Sequence, residues 1–83
     1  MPKVTIYSTT TCSFCKMLKT YLEQHNVNYD EKVADLDPSL AQELFDKSHQ
    51  LGVPFTIIEN DDKSQVSILG FDRQKFDTAL NLS

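Results

Sequence analysis

The chain has 83 residues, with 8 Lys+Arg against 12 Asp+Glu, a formal net charge of -4 and a pI near 4.9. That balance excludes a strong electrostatic nucleic-acid binder, which needs a basic stripe to release counterions, while 40% hydrophobic residues mark a chain that folds rather than a disordered one. The length predicts one domain, no apolar run approaches the roughly 18 residues of a membrane span, and Met1-Pro2-Lys3-Val4 lacks the apolar h-region of a secretory signal.

Val4-Thr5-Ile6-Tyr7 is β-branched and aromatic and predicts a strand from Lys3 to Ser8. The turn Ser8-Thr9-Thr10-Thr11 follows, with Thr11 as expected N-cap of a helix from Cys12 to about His25. Phe14, Met17, Leu18, Tyr21 and Leu22 are spaced i, i+3, i+4, i+7, i+8 and are expected to form its buried face. Asn26 fits a helix stop. Val27 to Val33 reads as a second strand, with Val27, Tyr29 and Val33 on one face. Asp37 is the expected cap of a second helix with Pro38 at its first position. That helix runs to about His49 and is expected to bury Leu40, Ala41, Leu44 and Phe45, with Leu51 and Gly52 as its breakers. Val53 to Ile58 predicts a third strand and Gln65 to Leu69 a fourth, joined as a hairpin through Asn60-Asp61-Asp62-Lys63. Gly70-Phe71-Asp72 opens a last helix ending near Leu82. Phe71, ahead of the Asp72 cap, and Phe76 would form a hydrophobic staple. The order β-α-β-α-β-β-α predicts an α/β fold. Its first two strands are parallel through a right-handed crossover, its last two antiparallel. The result is a mixed four-stranded sheet with helices on both faces.

Cys12-Ser13-Phe14-Cys15 carries the chemistry. A domain of this size buries about 60–65% of its unfolded surface, and a disulfide closing so short a loop adds little by chain entropy. The pair therefore points to reactivity rather than to a staple. Two cysteines three apart at a helix start lie on one face of the first turn and can pair without unwinding it. Cys12 sits where unpaired N–H groups and the helix dipole favour an anion. The thiolate is the nucleophile, and such a position lowers a cysteine's pKa below the free-thiol value. Lys16, at i+4, is placed to add its charge, against the plainer reading of a solvated lysine. Cys15, one turn deeper, is expected to be shielded. Cys12 is therefore the candidate that attacks a substrate disulfide, and Cys15 the one that resolves the mixed disulfide. The rival readings are two inert buried cysteines or half a zinc site. Only His25 and His49 are available to complete the latter, each outside any paired motif. Asp30-Glu31, Asp35, Asp37, Glu59 and Asp61-Asp62 read as solvated edges and turns. Tyr7 reads as core packing, and Phe14 also as a residue partly exposed beside Cys12 that touches substrate.

Tyr7-Ser8-Thr9-Thr10-Thr11-Cys12-Ser13-Phe14-Cys15-Lys16, then Gly52-Val53-Pro54, then Gly70-Phe71-Asp72, resembles the glutaredoxins of the thioredoxin superfamily. The resemblance covers essentially the whole chain and is nearest to the short glutaredoxin-like redoxins of bacteria and archaea. It implies a thioredoxin-like fold and a thiol–disulfide oxidoreductase acting on protein or glutathione mixed disulfides. A cytoplasmic monomer with no required cofactor is expected, without nucleic-acid or membrane partners. Pro54 resembles the cis-proline facing the active-site sulfurs, and Val53 the residue whose backbone pairs with substrate as an added strand. Gln50 resembles a position that reaches the glycine carboxylate of glutathione. The N–H groups of Phe71 and Asp72, at a helix start, resemble a carboxylate-binding site. Thr11, Phe14 and Lys16 complete the expected substrate- or glutathione-binding set.

The departures from the family pattern carry information of their own. Thr9 stands where glutathione-using members usually carry a basic residue. Gly70-Phe71-Asp72-Arg73 is shorter than the usual Gly-Gly-x-Asp-Asp, so weaker glutathione capture is expected unless Arg73 supplies a replacement cation. The Gly-Phe pattern resembles redoxins that donate electrons to ribonucleotide reductase and are recharged by thioredoxin reductase. Glutathione and thioredoxin reductase both stand as expected electron sources. Ser13, where many members have proline, resembles dithiol glutaredoxins that hold an iron–sulfur cluster between two protomers. That alternative is set against a neutral variation in reduction potential.

Overall fold

Alternation along the first strand decides which helix goes to which side of the sheet. In the computed structural model, which describes residues 2–50 and 52–81, the strands are β1 (Lys3–Ser8), β2 (Asp30–Val33), β3 (Phe55–Glu59) and β4 (Gln65–Leu69). They are interleaved with α1 (Ser13–Gln24), α2 (Pro38–Ser48) and α3 (Arg73–Leu80) in the predicted β-α-β-α-β-β-α order. The sheet order is β2-β1-β3-β4. β1 runs parallel to β2 and antiparallel to β3, and β3 and β4 form the antiparallel hairpin.

Val4 and Ile6 point to one face. There they meet Ile58 and Ile68 from the sheet, Leu18, Tyr21 and Leu22 from α1 and Phe76 from α3. Tyr7 points to the other face and packs with Ala34, Leu44 of α2 and Phe55. Helices therefore cover both faces, and both cores are apolar because period-2 strands put every second side chain on each side. The mixed sheet with three helices is a thioredoxin-like fold. No described helix is long and apolar enough to cross a membrane.

Several boundaries differ from the sequence reading. The helix cap is Cys12, not Thr11, and α1 begins at Ser13. The inward stripe of α1 is Cys15, Leu18, Tyr21 and Leu22. Phe14 and Met17 are turned out, 58% and 51% exposed, because Cys15 takes the inward place on the first turn. Phe45 is 47% exposed for a similar reason: of α2's apolar residues only Leu44 is buried, with Leu40 and Ala41 half-buried against it. β2 starts at Asp30 rather than Val27. The Val27 N–H is held at 2.9 Å by the Leu22 carbonyl, and Asn26 adopts φ 58°, so the helix exit occupies the start of the predicted strand. Val27 and Tyr29 still pack on the first core from that connection. β3 starts at Phe55 because its ladder begins at Tyr7↔Phe55, beyond the cis Val53–Pro54 bond. Asp37 caps α2 through its side chain to Ser39 N–H, with Pro38 in the first turn, as expected. The sequence-predicted stops at Leu51 and Leu82 lie outside the described residues; α3 is followed to Leu80, with Asn81 at its C-cap.

Candidate active site

Three chain segments meet at one end of the sheet, and each is placed by an identifiable bond. The first is the turn from β1 into α1. The Cys12 N–H donates to the Thr9 carbonyl at 3.3 Å, closing the turn. Cys12 then acts as helix cap: its Sγ accepts the Cys15 N–H at 3.1 Å. One of the orphan donors at the helix N-terminus is thereby spent on sulfur, the geometry that favours a thiolate. Cys12 and Cys15 are paired as a disulfide with their Cα atoms 5.3 Å apart. Cys15 is 1% exposed, whereas Cys12 is half-buried. Cys12 is the more exposed residue of the pair.

The second segment is Val53-Pro54, whose connecting peptide bond is cis. Pro54 is buried, and Val53 precedes the β3 ladder, half-buried beside α2's core. The third is Gly70-Phe71-Asp72. The Gly70 N–H donates to the Pro54 carbonyl at 2.7 Å, tying this segment to the proline. Gly70 has φ 82°, a left-handed conformation that a side chain would strain, and it turns the chain from β4 toward α3. Asp72 caps α3, accepting the Lys75 N–H at 3.2 Å. The Phe71 ring lies 6.5 Å from Phe76 and 5.6 Å from Tyr21, centroid to centroid, so the staple also reaches α1.

The remaining predicted residues are placed as follows. Thr11 is exposed beside Cys12, and Phe14 lies exposed on the first turn of α1. The Lys16 side chain enters an open groove of about 430 Å³ along α1, lined also by Met17, Tyr21, Phe71 and Arg73. The Arg73 guanidinium lies 5.4 Å from the centre of the Tyr21 ring, a cation–π distance. Gln50 is turned back on its own chain. Its Oε1 accepts the Gly52 N–H, its Nε2 donates to the Gly52 carbonyl at 3.4 Å, and a side chain at 52 would run into it. Among the described residues no three His, Cys, Asp or Glu side chains converge to hold a metal ion.

Several acidic residues have partners here, among them Glu31 and Asp35, which read from the sequence as solvated edges and turns. Glu31 accepts the hydroxyl of the buried Ser8 at 2.7 Å and pairs with Lys19 at 2.9 Å. Burial pushes the Glu31 carboxyl up, but the Lys19 ammonium and the Ser8 hydroxyl together bring it below the ordinary carboxylate value. Glu43 takes Lys32 at 2.6 Å and the hydroxyl of the fully buried Tyr7. Lys32 first, then Tyr7, lower its carboxyl, while burial and then Glu43 raise the Tyr7 phenol far above its usual range. Asp35 accepts from Thr10, within the turn that carries Cys12. No local motif marks these three carboxylates. The β1–β2 register brings Glu31 and Asp35 to their donors, and the packing of α2 on the sheet brings Glu43 to Tyr7.

The sequence matches the glutaredoxin family over residues 4–63. The chain belongs to the glutaredoxin family. A glutaredoxin-like 8.6 kDa protein of a Clostridium pasteurianum rubredoxin operon is 37% identical over 75 residues, 89% of this chain and 92% of the relative. The glutaredoxin-like protein NrdH of Lactococcus lactis is 35% identical over 43 residues, 52% of this chain and 60% of that one. The structure of the glutaredoxin-like NrdH-redoxin of Escherichia coli superposes with a TM-score of 0.75 at 22% identity, covering 92% of each chain. With the Cys12–Cys15 pair at disulfide distance, this glutaredoxin-like chain is a thiol–disulfide oxidoreductase.

Proposed function

We propose that the chain reduces protein disulfides by a two-cysteine cycle. The observation that carries the reading is the unequal pair: a more exposed Cys12 whose sulfur accepts a helix N-terminal N–H, and a buried Cys15 one turn behind it. The Cys12 thiolate attacks one sulfur of the substrate disulfide, forming a mixed disulfide and releasing the other substrate sulfur as a thiolate that takes up a proton. Cys15, losing its proton, then attacks Cys12 Sγ and releases the second substrate thiol. The substrate disulfide gains two electrons, and the Cys12–Cys15 pair is oxidised by two. Val53, outside the β3 ladder and next to Pro54, offers backbone groups to an extended substrate segment. Phe14, exposed on the first turn, supplies apolar contact.

The same residues favour thioredoxin reductase over glutathione as the electron source. Glutathione is a small anionic tripeptide. Thr9 brings no charge, the Gln50 amide is engaged with Gly52, and the Arg73 guanidinium is stacked over the Tyr21 ring. The likeness to NrdH of Lactococcus lactis points the same way and makes a ribonucleotide reductase a candidate oxidised partner. The setting proposed is a cytoplasmic one-domain monomer without a prosthetic group, since a reducing compartment suits a pair that cycles.

The test is NADPH-driven reduction of the oxidised chain in two arms, glutathione with glutathione reductase and thioredoxin reductase alone. Fast reduction in the second arm only is the expected result; fast reduction by glutathione alone overturns the assignment of the electron source. In parallel, Cys15→Ser should capture a protein disulfide as a stable mixed disulfide yet fail to turn over. Full turnover by that variant overturns the resolving role.

A further inference from the structure

Asp35 is exposed in the connection from β2 to α2, two residues past the strand end. Its carboxylate accepts the Thr10 N–H with both oxygens, at 3.2 and 3.1 Å, and the Thr10 hydroxyl at 2.6 Å. The Thr10 hydroxyl first, then the Thr10 N–H, lower its carboxyl below the ordinary value. Strand register explains the meeting. Every β1–β2 pair from Thr5↔Asp30 to Ser8↔Val33 has the same offset, and the Ala34 N–H continues the pairing to Ser8 at 2.8 Å. Thr10 and Asp35, separated by 25 residues, keep that offset beyond the strands.

Thr10 lies inside the turn closed by the Cys12 N–H and the Thr9 carbonyl. Thr10 and Thr11 are exposed, so the core does not grip the turn. Among the described residues, no other side chain hydrogen-bonds to Thr9, Thr10 or Thr11. The turn in turn fixes Cys12, whose sulfur must stay aligned with the Cys15 N–H to ionise readily.

We infer that Asp35 is a positioning residue for the Cys12 chemistry, holding from β2 the turn that seats the Cys12 sulfur on the N-terminus of α1. This rests on the oxidoreductase cycle proposed above. A carboxylate suits the task because both its oxygens accept and neither donates, so one group takes the Thr10 amide and hydroxyl together. Its charge acts the other way, since a carboxylate near a thiolate disfavours the thiolate. Positioning and charge therefore predict opposite signs. If Asp35 acts as a charge, its removal makes Cys12 easier to ionise. If it acts as a clamp, its removal makes Cys12 harder to ionise. Lys16 on α1 and Asp37 beyond Asp35 remain in every variant, and Thr10→Val also keeps the Asp35 charge, so that variant isolates the clamp.

The experiment compares the full chain with Asp35→Asn, Thr10→Val and Thr10→Ser. One readout is the pH at which alkylation of reduced Cys12 by iodoacetamide is half-maximal. The other is the rate of insulin disulfide reduction with dithiothreitol as electron donor. Asp35→Asn and Thr10→Val should move the half-maximal pH up by about half to one unit and slow reduction about three- to tenfold. Thr10→Ser, which keeps both donors, should match the parent chain. A downward move in Asp35→Asn, or no change in Asp35→Asn and Thr10→Val, overturns the inference. If Asp35→Asn does not fold, Thr10→Val decides alone, because it leaves the charge in place. If the parent chain reduces no insulin, the oxidoreductase cycle fails, and the alkylation readout still decides the clamp.

Discussion

Reducing the disulfide leaves the Cys12 sulfur at the start of α1, with the Cys15 N–H directed at it from 3.1 Å in the oxidised form. A hydrogen bond to a charged acceptor contributes about 1.5–3 kcal/mol. The positive end of the helix dipole adds about 0.3–1 kcal/mol at a partly exposed position. Together they favour the thiolate by about 2–4 kcal/mol, roughly a 30- to 900-fold shift in the ionisation equilibrium. Cys15, at 1% exposure, gains no such help and is screened from reagent. The assay is a pulse of iodoacetamide on the reduced chain across pH, with the labelled cysteine located by mass spectrometry, repeated in urea. In the folded chain the rise in Cys12 labelling should be half complete about 1.5 to 3 pH units below that in the unfolded chain. Cys15 should stay unlabelled until the chain is unfolded. Coincident folded and unfolded curves, or labelling of Cys15 first, would refute the helix-terminus argument.

Other outcomes follow from burial and charge. Phe76→Ala removes a fully buried ring from the α1–α3 core and should cost about 3–5 kcal/mol in urea unfolding. Phe14→Ala, at 58% exposure, should change stability by less than about 0.5 kcal/mol. The same variant should slow reduction of protein disulfides more than of small ones; equal slowing would remove Phe14 from the substrate surface. The folded Glu31 carboxyl sits below its unfolded value, so its pairing adds stability above the unfolded pKa, and that stability is lost as pH falls through the folded pKa. Glu31→Gln should therefore be less stable than the parent by about 1 kcal/mol at pH 7. The gap should shrink as pH falls from the ordinary carboxylate range through the lower folded pKa. A gap that does not shrink as pH falls would mean that Glu31 acts by shape rather than by charge.

Element types and their order were legible because each rests on local chemistry. Two β-branched runs, an Asp-Pro helix start and a Gly-Phe-Asp exit need no tertiary information, and Asp37 and Asp72 cap the helices they were expected to cap. What misled was the rotation of α1. A stripe chosen by hydrophobicity included Phe14 and Met17, but cysteine is itself a small hydrophobe, and counting Cys15 turns the buried face by one position. The cap was missed for a related reason: a thiol rarely serves where Ser, Thr, Asp or Asn are preferred. At this site the sulfur takes the cap position because its reactivity depends on being there.

The carboxylates show a different limit. Glu31, Asp35 and Glu43 each look like solvated charge when read singly, since no periodic pattern or short motif includes them. Their donors, Ser8, Thr10 and Tyr7, all lie on or just beyond β1, and the β1–β2 register carries the first two pairs. Parallel strands joined by a helical crossover can be predicted from sequence, but their register cannot, because a slip of two residues keeps every side chain on the same face. A slip of that size would leave Val4, Ile6 and Tyr7 on their present faces while moving Asp35 away from Thr10. Hydrophobic patterning thus selects the fold and leaves several registers open, and pairing polar groups at the strand ends distinguishes among them. On the inference above, the carboxylate that takes the Thr10 N–H and hydroxyl also holds the turn that carries Cys12, so one contact at the end of the β1–β2 register serves both pairing and reactivity.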